Sequence, residues 1–145
     1  MKYHFNEGAF QVPQYLDDRT VNLLAPRIGA SGLTIAITRD PLEGEESLQQ
    51  FVDRQLADLA RQVAKYQKGT QEPAHLGQGR SSIEGFKFPV SYKQQGKLVY
   101  HVQAAFLMPA DRKVLSVTFS SPIAFTAEQL QTVHQVLASF EQHAA

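Results

Sequence analysis

The stretch KLVYHVQAAFLMP, residues 97–109, is the most apolar passage of the chain, and its period decides the fold. Read at the two-residue period of a β-strand, it has two distinct faces. Leu98, Tyr100, Val102, Ala104, Phe106 and Met108 form one; Val99, His101, Gln103, Ala105 and Leu107 form the other. The first set is larger and continuously apolar, so it is expected to rest on the core. The second mixes an amide and an imidazole with small side chains, and its surroundings carry the functional question.

The neighbouring sequence extends the pattern. Residues 82–92, SIEGFKFPVSY, read as one long strand or two joined by a bend, because Pro89 has no N–H to give a central ladder. Gln94-Gln95-Gly96-Lys97 reads as a turn, residues 109–113 as another, and residues 114–120 as the next strand. Connections this short force antiparallel pairing. Upstream, GLTIAIT at 32–38 alternates cleanly and stops near Asp40-Pro41. Residues 10–12 and TVNLLA at 20–25 are shorter strand candidates, each closed by a proline.

Between these strands the period changes. From Ser47 the chain reads SLQQFVDRQLADLARQVAKYQKG, with Leu48, Val52, Leu56, Leu59, Val63 and Tyr66 at helical spacing and Phe51 widening the stripe. Ser47 and Gln50 fit a capping box, and Gly69 is the expected stop. Asp53 near the start, with Lys65 and Lys68 at the end, suits the helix dipole. At the other end of the chain, Thr126 and Gln129 fit a second capping box, with Phe125 and Leu130 at staple spacing. Leu130, Val133, Leu137 and Phe140 form that helix's apolar stripe. The expected fold is a single α+β domain over residues 1–145: a predominantly antiparallel sheet, with a long central helix and a C-terminal helix packed on one face.

On that reading the helices cover the face of Val102 and Phe106, joined by Leu33, Ile35, Ile37, Leu115, Val117 and Phe119. The other face stays open. It is expected to carry Thr34, Ala36, His101, Gln103, Ala105, Ser116 and Thr118, with Asn22 and Leu24 as an extension. A merely solvated sheet would carry more Lys or Glu than this floor of small, hydroxyl and amide side chains. Small residues let an apolar partner approach closely while hydroxyls and amides satisfy its isolated polar atoms. An apolar helix, a second copy of the chain, and plain solvent are the three occupants this pattern allows.

Bulk properties and motifs narrow the chemistry. The composition, 43% hydrophobic and 19% charged, is that of an ordinary soluble domain. Fourteen basic and fourteen acidic residues cancel, which argues against an extended nucleic-acid surface. With no cysteine there is no disulfide or thiolate chemistry. His4, His75, His101, His134 and His143 have no metal-ligand spacing, GQGRSS at 77–82 lacks the rest of a phosphate loop, and no GxSxG elbow is present. Glu43, Glu45 and Glu46 read as a solvated cap, and Asp53 and Asp58 sit five apart, a poor match to one helical face. His101 reads as a partly buried polar residue and not as a general base. These searches disclose no catalytic constellation and no requirement for a cofactor, and leave a catalytic domain as an open alternative. No run approaches the roughly 18 apolar residues of a membrane-spanning helix, and the first residues lack a signal-peptide pattern. Cytoplasmic residence, without stable membrane insertion, is therefore expected.

Four passages carry a family resemblance: YHFNEGAFQVP, DRTVNLL, LTIAITRDPLEGEESLQQFVDRQL, and the carboxy-terminal meander with its helix. Together they resemble the Eag-type effector chaperones of bacterial type VI secretion, within the Mog1/PsbP-like fold group. The resemblance implies an α/β sandwich and a cytoplasmic homodimer without enzymatic activity. Its function would be to shield the N-terminal transmembrane helices of a secreted effector and assist loading onto the secretion spike protein. It also implies a client groove that includes the TVNLLA strand, with Asn22 and Leu24 as candidates. A homodimeric interaction domain of the same fold and a small-molecule-binding domain with a closed pocket are the alternatives.

Overall fold

The computed structural model describes residues 1–28 and 32–143. Two short strands, β1 (Lys2–Phe5) and β2 (Gly8–Gln11), form a hairpin of their own. The main elements follow in the order β3 (Asn22–Leu24), β4 (Thr34–Pro41), α1 (Leu48–Gln62), β5 (Ala64–Lys68) and β6 (Glu72–Leu76). A short 3-10 turn at Gly79–Ser81 then leads to β7 (Ile83–Gln94), β8 (Lys97–Leu107), β9 (Lys113–Ser121) and α2 (Ala127–Ala138). The fold is α+β: one antiparallel sheet, a long central helix and a C-terminal helix.

The seven-stranded sheet runs β3-β4-β9-β8-β7-β5, with β6 also paired to β7. The β7–β8–β9 meander lies where the sequence places it. Its first turn is tight because Gln95 and Gly96 both take left-handed backbone (φ 52° and 80°), which matches the twist of the strands they join. β7 is one uninterrupted strand of 12 residues, and Pro89 pairs Val102 without breaking the β8 ladder. Its effect falls on the other edge. There β6 ends at Lys87 and β5 begins at Val90, so the missing donor sits where one edge partner gives way to the next. Gly69, in that gap, donates its N–H to the Pro89 carbonyl at 2.8 Å.

The helices pack on opposite faces, which corrects the expectation that both cover one. Val133 and Leu137 of α2 rest on Val102, Ala104 and Phe106 of β8 and on Val117 and Phe119 of β9, as the alternation of β8 requires. Phe51, Val52 and Leu56 of α1 rest on Phe88, Val90 and Tyr92 of β7, with Ala105 and Val114. The cause lies in β7. Its register sets Phe88 against Gln103 and Val90 against His101, so the face that is polar on β4, β8 and β9 turns strongly apolar on β7. That apolar half needs its own helix.

Two further expectations change. α1 ends at Gln62 and not near Gly69: Val63 turns extended and Lys65 takes left-handed backbone, so the chain enters β5. Val63 and Tyr66 still join the α1-side cluster. Strands β1, β5 and β6, which the sequence reading did not identify, complete the sheets.

Candidate functional site

Register places the predicted floor residues accurately relative to one another. Gln103 pairs Thr118 and Ala105 pairs Ser116 across β8–β9; Thr34 pairs Ser120 and Ala36 pairs Thr118 across β4–β9. Thr34, Ala36, His101, Gln103, Ala105, Ser116 and Thr118 therefore share one face, the α1 side. They do not share one environment. Ala105 and Ser116 lie beneath α1, with Ser116 only 3% exposed, so neither can meet a partner. Thr34, Ala36, His101, Gln103 and Thr118 are half-buried, on the part of the sheet that α1 does not roof. Asn22 and Leu24 belong to the opposite face: they pair Ile37 and Ile35, and it is Leu23, opposite Ala36, that extends the floor. The single-residue error in β3 flips each side chain across the sheet.

His101 stacks edge-on to Tyr92, with ring centroids 5.3 Å apart. Burial alone pushes its pKa below the ordinary imidazole value, so it is neutral at pH 7. The acidic cluster before α1 is organised, not simply solvated. Arg54 donates to Glu46 through Nη2 at 2.8 Å and Nε at 3.2 Å, and reaches Glu43 at 3.5 Å. That hydrogen bonding holds the Glu46 carboxyl below its usual range. Among the described residues no three His, Asp or Glu side chains converge as a metal site, and no helix is long and apolar enough to cross a membrane.

An accessible apolar surface lies on the α2 side. A groove of about 630 Å³ runs along β4 and β9, floored by Ile35, Ile37, Leu115 and Val117. Leu24 and Met108 flank it, while Val136 and Phe140 form the wall on the helix side. Arg39 and Lys113 stand at one end, with Asp111 and Glu141 also on the rim. The sequence reading placed Ile35, Ile37, Leu115, Val117, Met108 and Phe140 on the core side and Leu24 on the open face. The missed signal is width: a helix about 10–12 Å across spans little more than two strands at about 4.8 Å each. α2 packs chiefly on β8 and the adjoining face of β9, so Ile35 and Ile37 of β4 and Leu115 of β9 are reached only at the cluster's margin and stay partly buried. A second hollow, about 720 Å³, opens near Gly69 and Pro89 with Lys68, Glu72, Lys87 and Leu130 on its walls. Its Lys68 is already engaged, over the Phe88 ring at 4.9 Å and with Gln71 at 3.3 Å.

These features define a small sheet-centred domain with one helix on each face and an open apolar groove. A family model described as DcrB matches residues 7–139, and the chain belongs to the DcrB family. A solved structure from Pseudomonas aeruginosa, a protein of unknown function named PA94 and described as a candidate regulator, is 16% identical with a TM-score of 0.67. The match covers 100% of this chain and 98% of that one, and at this identity it speaks to the fold. No curated protein matches the chain. The assignment to DcrB overturns the Eag-type reading, and with it the effector-shielding role in type VI secretion and the homodimeric effector-binding module. Cytoplasmic residence is overturned too, because proteins of the DcrB family are characteristically periplasmic.

Proposed function

We propose that this chain is a non-catalytic binding domain whose working surface is the α2-side groove. Its apolar floor carries the reading: Ile35, Ile37 and Leu115 are only partly buried, although they continue the same face as the α2 core. The volume falls within the range of about 300–1,000 Å³ that accommodates small ligands. Family membership supports periplasmic residence, and a Mog1/PsbP-like sandwich is the finer fold description that fits a sheet between two helices. The test is titration of the isotope-labelled protein with dodecanol below its solubility limit. Amide shifts confined to Ile35, Ile37, Leu115, Val117 and Val136 are expected, and Ile37→Asp should remove them while the rest of the spectrum stays folded. Shifts scattered over the whole surface, or none, would count against the groove.

A specific observation favours a second, compatible activity, which is self-association. Leu23 is 65% exposed on the α1-side face. Around it lie Thr34, Ala36, Gln103, Thr118 and Ser120, without a charged side chain among them. Among the described residues β3 also leaves one backbone edge unpaired at the margin of the sheet. Light scattering across a concentration series should give a dimer mass that Leu23→Asp halves. A monomer at every concentration would sink this part.

A further inference from the structure

Resting on the groove as a binding site, we infer that its ligand is a single-chain amphiphile with an anionic head, such as a long-chain carboxylate. The argument is the polarity of the groove along its own axis. Arg39 and Ile37 alternate on the same face of β4, and Lys113, Leu115 and Val117 do so on β9. Register sets Arg39 opposite Leu115 and Pro41 opposite Lys113. The two cations are therefore diagonal neighbours, a spacing of about 7–8 Å that one carboxylate can bridge. Beyond them the floor turns apolar, through Ile37 and Leu115 to Ile35 and Val117.

Hydrogen bonds from Thr20 and Tyr3 already engage the Asp18 carboxyl and hold it down, and Asp18 lies near enough to Lys113 for that charge to help. Among the described residues neither Arg39 nor Lys113 forms an ion pair. Arg39 makes one long hydrogen bond, Nη1 to the Ile37 carbonyl at 3.5 Å. Two more acids share the rim. Asp111 is partly engaged, its Oδ1 accepting the Lys113 backbone N–H at 3.1 Å, and Glu141 sits beyond α2 on the facing wall. The strand end thus presents two charges that fit an anion, with an apolar track leading away from them. A guanidinium and an ammonium side by side bind a carboxylate through charge-assisted hydrogen bonds, while the chain's methylenes gain from leaving water. A neutral apolar ligand would use the track and leave both cations idle. A cationic one would have to seat on Asp111 or Glu141.

The test compares three probes of equal chain length by calorimetry at pH 8 and below micelle-forming concentrations: dodecanoate, dodecanol and dodecyltrimethylammonium. Dodecanoate is expected to bind at least tenfold tighter than dodecanol, and added salt should narrow that gap. The double variant Arg39→Gln/Lys113→Gln changes exposed side chains only, and its folding is checked by thermal melt. It should bring dodecanoate to the level of dodecanol without altering dodecanol. Equal binding of dodecanoate and dodecanol overturns the anionic head and leaves the groove standing. Tighter binding of dodecyltrimethylammonium does the same. If no probe binds, the groove reading falls as well.

Discussion

Ser116 is buried beneath α1 against an apolar cluster, and its hydroxyl finds no protein partner among the described residues. A buried polar group left without a hydrogen bond costs stability, so Ser116→Ala should raise the unfolding free energy by about 1 kcal/mol, read from urea denaturation. His101 makes a pH-dependent contribution of known sign. Burial keeps its folded-state pKa below the free value of 6.5, so the unfolded chain binds the proton first as pH falls. Stability is therefore full above about pH 6.5 and declines below it, until the folded imidazole also protonates. The melting temperature of the wild type should fall more between pH 7 and 5 than that of His101→Gln. Gly85 lies against Ala105 and Phe106 so closely that a Cβ would overlap both. Gly85→Ala should cost about 1–3 kcal/mol by overpacking. Of these three, only the partial burial of His101 was legible in the sequence. The alternation of β8 puts an imidazole on a strand's second face, whereas the surroundings of Ser116 and Gly85 depend on which strands and helix arrive from elsewhere.

Local chemistry specified the helix starts well, because a cap is written within four residues. Both capping boxes form: Gln50 N–H donates to Ser47 Oγ at 3.1 Å, and Gln129 N–H donates to Thr126 Oγ1 at 3.1 Å. Ser47→Ala and Thr126→Ala should each cost about 1 kcal/mol of stability, measurable as a shift in denaturation midpoint with unchanged slope. The end of α1 was not readable in the same way. Val63 and Tyr66 fit the helical stripe, yet they also serve as inward-facing residues of the segment that becomes β5, and pairing with β7 decides between the two. β3 shows the cost of shortness: with three residues, nothing in its own pattern fixes which leucine faces which side.

The molecule as a whole carries two separate cores, divided by the sheet. Leu56 packs in one and Leu137 in the other. Leu→Ala at either should cost about 2–5 kcal/mol, and because the sites share no partner the double variant should lose the sum to within about 0.5 kcal/mol. A cooperative excess in denaturation experiments would mean that the sheet transmits strain between its faces. The two-core arrangement was hidden in the sequence because β8, the strand that reads most clearly, has one richly apolar face and one mixed face. The residues that make the mixed face a core come from β7 and α1.

The pairing of β4 with β9 bears on how the chain is made. Thr34 to Pro41 finds its ladder in Ser120 to Lys113, near the far end of the sequence. A ribosome therefore delivers β4 and α1 long before the strand that will hold β4 in the sheet. Until then Ile35 and Ile37 have only the three-residue β3 as a partner, while the β7–β8–β9 meander, built from neighbours in sequence, can assemble almost as it emerges. Closing the sheet therefore requires an early segment to be captured by a late one. In that interval the nascent protein is most in need of protection from sticking to its neighbours.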